Sequence, residues 1–316
     1  MNAFSSLLDY LIILVALGGT AIVLRRFAVI SESQQGVFGR LVTDFAMPAL
    51  VFTSLSTHAI TQVQMLGALL LFAAIAPVMV IAWLIGRAME LSRPALGSVV
   101  MVSGFGGTGT LGFALIQNVF GNDPQMLDDA VVMGQFGNLL PALTVGVAVS
   151  IYFGQDREEA ITLKAALSPM FTSPLFAATV LGIAVSFFNI PMDFWPIKLF
   201  YEYLHIVGAT LSVLVAFAIG LMLKPIGYRE IAVLIALAAA LKLLVEPMIG
   251  WAMTLPDDLP HMERQLLILD TALPTGTIAA VIAARYGCDA AIASGLVVAT
   301  LVVSLVMLPA TIYLAF

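Results

Sequence analysis

The sequence predicts an all-α membrane protein of ten transmembrane helices, arranged as a 5+5 inverted repeat with broken helices at the fourth and ninth positions. Three observations carry this reading. Hydrophobic residues make up 61% of the 316 and charged residues only 10%. The apolar residues fall in runs of about 20, the length at which a helix crosses a bilayer with its backbone bonded internally. A Thr-Gly-Thr triplet occurs at 108–110 and again at 275–277, in two different runs.

Taken in order between charged or turn-rich breaks, the runs are 4–25, 36–57, 63–88, 95–119, 125–152, 172–190, 197–224, 229–253, 262–286 and 289–315. The first follows an uncharged amino terminus and ends in Arg25-Arg26. It lacks a basic start and a small-residue cleavage site, so it is expected to be a retained helix and not a signal peptide. The longest polar break, GQDREEAITLKAALSPM, lies in a short linker at 153–171. It separates a first repeat, 1–152, from a second, 172–316, and is too short for a soluble domain.

Basic residues set the expected orientation. Arg25, Arg26, Arg40, Arg87, Arg93, Arg157, Lys164, Lys224, Arg229 and Arg285 fall in loops on one side, and only Lys198 and Arg264 on the other. The basic side is read as cytoplasmic. Both termini are then outside, and the chain is expected in a bacterial inner membrane. The outer loops carry Asp123, Asp128, Asp129, Asp257 and Asp258. The single cysteine, Cys288, falls on the basic side, where an impermeant thiol reagent should reach it only from the cytoplasm. No basic patch interleaved with aromatics supports nucleic-acid binding.

The triplets stand 167 positions apart, and that offset maps the first five runs onto the last five. FGND at 120–123 and YGCD at 286–289 also correspond, with a one-residue slip. Five is odd, so the second half crosses in the opposite sense. Inverted repeats with paired interrupted helices characterise many secondary transporters, whose sites lie where those helices break.

The breaks have a composition. Gly104, Gly106, Gly107, Gly109 and Gly112 crowd the fourth run; each interior glycine costs a helix about 1 kcal/mol relative to alanine. Pro274 interrupts the ninth by removing a donor and crowding the preceding turn. Unwound backbone at membrane depth offers N–H groups to an anion and carbonyls to a cation. The candidate substrate-binding residues are therefore Gly106, Gly107, Thr108, Gly109, Thr110, Pro274, Thr275, Gly276 and Thr277. Glycines also permit close helix packing, which is the alternative for the fourth run. Gln135 and Asn138 of the fifth run either line the site or hydrogen-bond neighbouring helices.

Four ionisable residues sit inside runs: Asp44, Lys242, Glu246 and Asp270. Each costs about 2.5–3.5 kcal/mol near the bilayer centre on insertion scales, so each needs a partner or water. Lys242 and Glu246 are one helical turn apart and can pair. Three acids against one lysine leave a negative surplus, which a proton or sodium ion can balance. These four are the candidate ion-coupling residues. No metal site or cofactor is expected beyond such a coupling ion. His205, near the outer end of the seventh run, is read as an interface residue.

TDFAMPALVFTSLS (43–56), GTLGFALIQNVFG (109–121), LKLLVEPMIG (241–250) and LDTALPTGTIAAVIAARYG (269–287) together resemble the auxin efflux carrier family, whose members include bacterial proteins and the plant PIN transporters. The resemblance covers all ten runs. It implies a fold like those of bile-acid sodium symporters and sodium/proton antiporters. In such folds helices 1, 2, 6 and 7 form a scaffold, often dimeric, and helices 3–5 and 8–10 a mobile transport unit. It also implies export or exchange of organic anions, from auxin-like acids to malonate and malate. The chain departs from the family's pattern at several positions. Gly106 and Gly107 stand where relatives often carry proline and a polar neighbour, and acids stand at Asp44, Glu246 and Asp270 where neutral residues are common. Only Lys242 is ordinary for the family.

The expected function is secondary active transport of a small organic anion by alternating access, coupled to a proton or sodium gradient. A passive channel or uniporter for the same solutes is the alternative. No HExxH, GxGD or other intramembrane catalytic pattern is present in the sequence, so an enzyme is not expected.

Overall fold

The computed structural model describes residues 3–31, 34–57, 60–119, 124–154, 171–188, 194–222, 231–256 and 259–315. Most of the 153–171 linker lies outside these, as do Asp123, Arg157, Lys164, Lys224, Arg229, Asp257 and Asp258. No strand is present among the described residues beyond one isolated bridge, Gly106 to Thr275.

The helices are α1 (Ala3–Arg26), α2 (Val37–Thr57), α3 (Gln62–Ala88), α4 (Arg93–Gly104), α5 (Phe113–Val119), α6 (Gln125–Phe153), α7 (Pro174–Ser186), α8 (Trp195–Ala209), α9 (Leu211–Met222), α10 (Ala232–Met253), α11 (His261–Ala272), α12 (Thr277–Arg285) and α13 (Ala290–Ala315). Among the described residues, six helices are long and apolar enough to cross a membrane: α2, α3, α6, α10, most of α13, and α8 run into α9. The fourth and ninth expected runs are not continuous. Each is two helices separated by extended backbone, α4 from α5 and α11 from α12.

Local sequence explains the starts. Ser173 caps α7, its hydroxyl accepting from the Phe176 amide at 3.1 Å, with Pro174 at the first helical position. Asp289 caps α13 by accepting from the Ala291 and Ile292 amides, both at 3.0 Å. Pro94 opens α4 and Pro260 immediately precedes α11. Helices α2, α6 and α10 also contain π-helical turns, at Val42–Ala46, at Gly134–Leu139 and Ala142–Gly146, and at Leu241–Val245, and a further one, Thr108–Gly112, leads into α5. Such turns concentrate at functional sites. Asp44, Thr108, Gln135, Asn138 and Lys242 all lie in one.

The described chain divides into two compact units. The first contains residues 1–61, 113–131 and 169–224. Here α7 packs on α2, and α9 on α1. Small residues bring the backbones together: a Cβ on Gly220 would collide with the Gly18 carbonyl, and one on Gly182 would come within 3.0 Å of the Leu55 Cβ. Tyr201 of α8 donates to Ser56 of α2 at 2.8 Å, a polar tie between buried helix faces. Asp44 belongs to this unit and is exposed, with the Thr43 hydroxyl donating to it at 2.9 Å.

The second unit contains 62–112, 132–168 and 225–316. Its core is α3 against α4 and α6, with α13 packed on α4, α10 and α12. Cys288 lies here and corrects the labelling expectation. It is only 7% exposed, its thiol faces the Ser150 carbonyl at 3.5 Å, and its sulfur fills the space a side chain at Gly97 would need. Burial pushes its thiol up to about 11, so it is a packed side chain and not an accessible nucleophile.

Candidate functional site: the crossing of two broken helices

The glycine cluster and the proline meet inside the second unit. Helix α4 ends at Gly104, and Phe105 turns extended. Helix α11 ends at Ala272, and Leu273 is extended. The two unwound stretches then run antiparallel past each other. The Gly107 amide donates to the Pro274 carbonyl at 2.8 Å, and the Gly276 amide to the Phe105 carbonyl at 3.0 Å. The Thr275 hydroxyl donates to the Val102 carbonyl at 2.7 Å, capping the end of α4. Each break thus satisfies backbone groups of the other, which removes the cost of unwound chain in an apolar surrounding.

One glycine is required by this approach. A Cβ on Gly276 would collide with the Gly106 carbonyl, whereas a Cβ on Gly106 would meet only the tip of the Lys242 side chain, at 3.0 Å from Nζ.

Asn138, from the π-helical turn of α6, clips the fourth-run break from the side. It accepts from the Gly106 amide at 3.2 Å and donates to the Gly106 carbonyl at 2.8 Å and the Thr108 hydroxyl at 3.2 Å. The polar group that Gly106 and Gly107 cannot supply is therefore brought by a neighbouring helix. Gln135, one turn earlier, is 4% exposed and its Nε2 finds no acceptor among the described residues.

The charges gather at the same place. Lys242 is fully buried; its Nζ pairs with the Glu246 carboxylate and donates to the Gly104 carbonyl at 3.3 Å, at the carboxyl end of α4. A cation there complements the partial negative charge of a helix end. Asp270 is 1% exposed and lies on the last turn of α11. Thr108 adjoins its carboxylate and Lys242 is near enough to act on it electrostatically, while the missing side chain at Gly112 makes room for Leu273. Yet neither Asp270 oxygen nor the second Glu246 oxygen completes a hydrogen bond of good geometry among the described residues.

Of the sequence-predicted residues, the structure brings together Gly106, Gly107, Thr108, Asn138, Lys242, Glu246, Asp270, Pro274, Thr275 and Gly276. Gly109 and Thr277 follow immediately on the two breaks, half-buried. The side chain of Thr110 lies outside the described residues. Asp44 is in the other unit. Sequence reasoning missed the Gly104, Phe105 and Val102 carbonyls as partners. Backbone acceptors carry no residue-type signal, and only the glycine cluster and Pro274 hint that such carbonyls fall free. No group of three or more His, Cys, Asp or Glu able to hold a metal ion is present among the described residues.

The chain matches the family described as membrane transport proteins over residues 6–155 and 155–312. It is 22% identical over 268 residues to an uncharacterized transporter of Methanocaldococcus jannaschii, covering 83% of this chain and 84% of that protein. It is 23% identical over 300 residues to an uncharacterized transporter of Methanothermobacter thermautotrophicus, covering 94% of each. With a family match across nearly its whole length and several apolar helices long enough to cross a bilayer, this chain is a multi-pass membrane protein that belongs to the membrane transport protein family of auxin efflux carriers.

Proposed function

We propose that the protein is a secondary active transporter of small organic anions, working by alternating access around the crossing in the second unit and coupled to protons or sodium through Asp270. The observation that carries this reading is the Asp270 carboxylate. It is buried where two broken helices meet, with neither oxygen in a hydrogen bond of good geometry among the described residues. Buried polar groups left unsatisfied need an explanation, and a bound ion or proton is one. With both acids ionised, Lys242, Glu246 and Asp270 hold one surplus negative charge, which a coupling ion neutralises. The Gln135 amide nitrogen, without an acceptor among the described residues, offers a donor to a substrate carboxylate. The carboxylate class itself rests on the resemblance to organic-anion carriers.

The helix pairings support ten spans in a 5+5 inverted repeat. Helices α4 and α11 are both 12 residues long and both end at the crossing. In the first unit α9 packs on α1 and α7 on α2; in the second α6 packs on α3 and α13 on α10. Each pair exchanges with its counterpart when the halves are exchanged. The unit holding α1, α2 and α7–α9 corresponds to a scaffold, which also provides the surface for a homodimer. The other corresponds to the transport unit. The asymmetry of the basic loops supports an orientation with both termini outside, in the inner membrane of a bacterium.

The test is uptake of mono- and dicarboxylates into proteoliposomes, with pH and sodium varied independently. Saturable uptake driven by one of the two gradients, lost or uncoupled in Asp270→Asn, is the expected result. Uptake in Asp270→Asn with unchanged pH and sodium dependence overturns the assignment of coupling to Asp270.

A further inference from the structure

Away from the crossing, a groove of about 380 Å³ runs along α3, lined by Phe72, Ala76, Val80 and Trp83 and, from α6, by Val149 and Tyr152. Its lining side chains are apolar or aromatic throughout, and it is open: Val80 is 52% exposed and Tyr152 64%. From Phe72 to Trp83 the helix rises about 16 Å. That is about half of a hydrocarbon core roughly 30 Å thick, the depth of one leaflet.

The groove has a charged end. The Arg87 guanidinium lies 5.8 Å from the centre of the Trp83 ring, and the Arg93 guanidinium 5.2 Å from the centre of the Tyr152 ring. Arg93 also donates to the Tyr152 carbonyl at 2.6 Å. Both rings are groove walls, so each cation lies beside a residue that forms the groove. Both arginines are exposed, and neither is in an ion pair among the described residues. Two guanidinium forks with donors to spare suit a phosphate. The positive-inside reading puts this end at the cytoplasmic surface, where basic pockets between helices recognise anionic headgroups.

We propose that this groove is a binding site for an anionic phospholipid, with one acyl chain along Phe72, Ala76 and Val80 and the phosphate between Arg87 and Arg93. The proposal is independent of the substrate and the coupling ion. An apolar groove by itself accepts any acyl chain; the two anchored cations make it select for net negative charge, because a zwitterionic headgroup brings its own cation.

Native mass spectrometry of delipidated full-length protein, titrated with phosphatidylglycerol or with phosphatidylcholine of the same chains, tests this. Phosphatidylglycerol is expected to be retained preferentially. Affinity should fall about fivefold for each of Arg87→Gln and Arg93→Gln. Ala76→Trp fills the groove and should reduce retention with both arginines intact; Val149→Trp, from the opposite wall, serves if that variant does not fold. Equal retention of the two lipids, or unchanged retention in the arginine pair or in the groove-filling variant, overturns the site. So does a groove-filling variant that alters the oligomeric state while leaving lipid retention unchanged, which would assign the face to a second copy of the chain.

Discussion

Asp270 and Lys242 set the chemistry of the crossing by unequal partnership. Lys242 has an acid and a helix-end carbonyl; Asp270 has neighbours but no hydrogen bond of good geometry among the described residues. Removing the cation leaves two buried carboxylates, and breaking a buried pair this way costs about 3–5 kcal/mol. Lys242→Met should therefore lower thermal stability in detergent strongly, and Lys242→Met combined with Glu246→Gln should recover much of the loss. A single variant as stable as the wild type would show that the pair does not hold the crossing. Cys288 gives a second test at this scale. With its thiol near 11 it is almost wholly protonated at neutral pH, and the thiolate is the reactive form. Maleimide labelling should be slow at pH 7 and rise about tenfold per pH unit towards 11. Fast labelling at neutral pH would show that Cys288 is not buried. Side-chain chemistry of this kind was only partly legible in the sequence. The i, i+4 spacing of Lys242 and Glu246 exposes their pairing directly. The exposure of Asp44 was not legible, because a helical acid in an apolar run reads alike whichever way its face turns.

At the scale of elements, the interruptions follow from composition and their pairing does not. Five glycines between 104 and 112 and one proline at 274 mark where helix propensity fails. Nothing in either stretch specifies that Gly107 will meet Pro274 or that Gly276 will meet Phe105, contacts that span about half the chain. Unwound backbone is expected to face ligands, and several of its groups instead join the two breaks. Asn138 shows the same limit: its hydrogen bonds to Gly106 and Thr108 depend on backbone that it meets only in the fold. Gly276→Ala should be a sharp test. Its Cβ meets backbone that cannot rotate away, and overpacking of this kind costs about 1–3 kcal/mol. Gly39→Ala, where a Cβ meets nothing within 4 Å, is the control and should be neutral or stabilising. Equal melting temperatures for the two variants would contradict the close approach.

For the whole molecule, composition and apolar run length make a multi-pass membrane protein legible, and the family match carries that to a transporter. The proposed topology predicts that a reporter fused after α13 is active outside the cytoplasm; a cytoplasmic signal would break the count of ten spans. The alternating-access proposal separates a carrier from a channel. A carrier returns its site with or without cargo, so unlabelled substrate on the far side speeds entry of labelled substrate, whereas a channel shows no such exchange. Counterflow of a radiolabelled dicarboxylate in proteoliposomes is the most direct measurement. The account predicts saturable uptake that is stimulated by internal unlabelled substrate; uptake that neither saturates nor responds to internal substrate would contradict it.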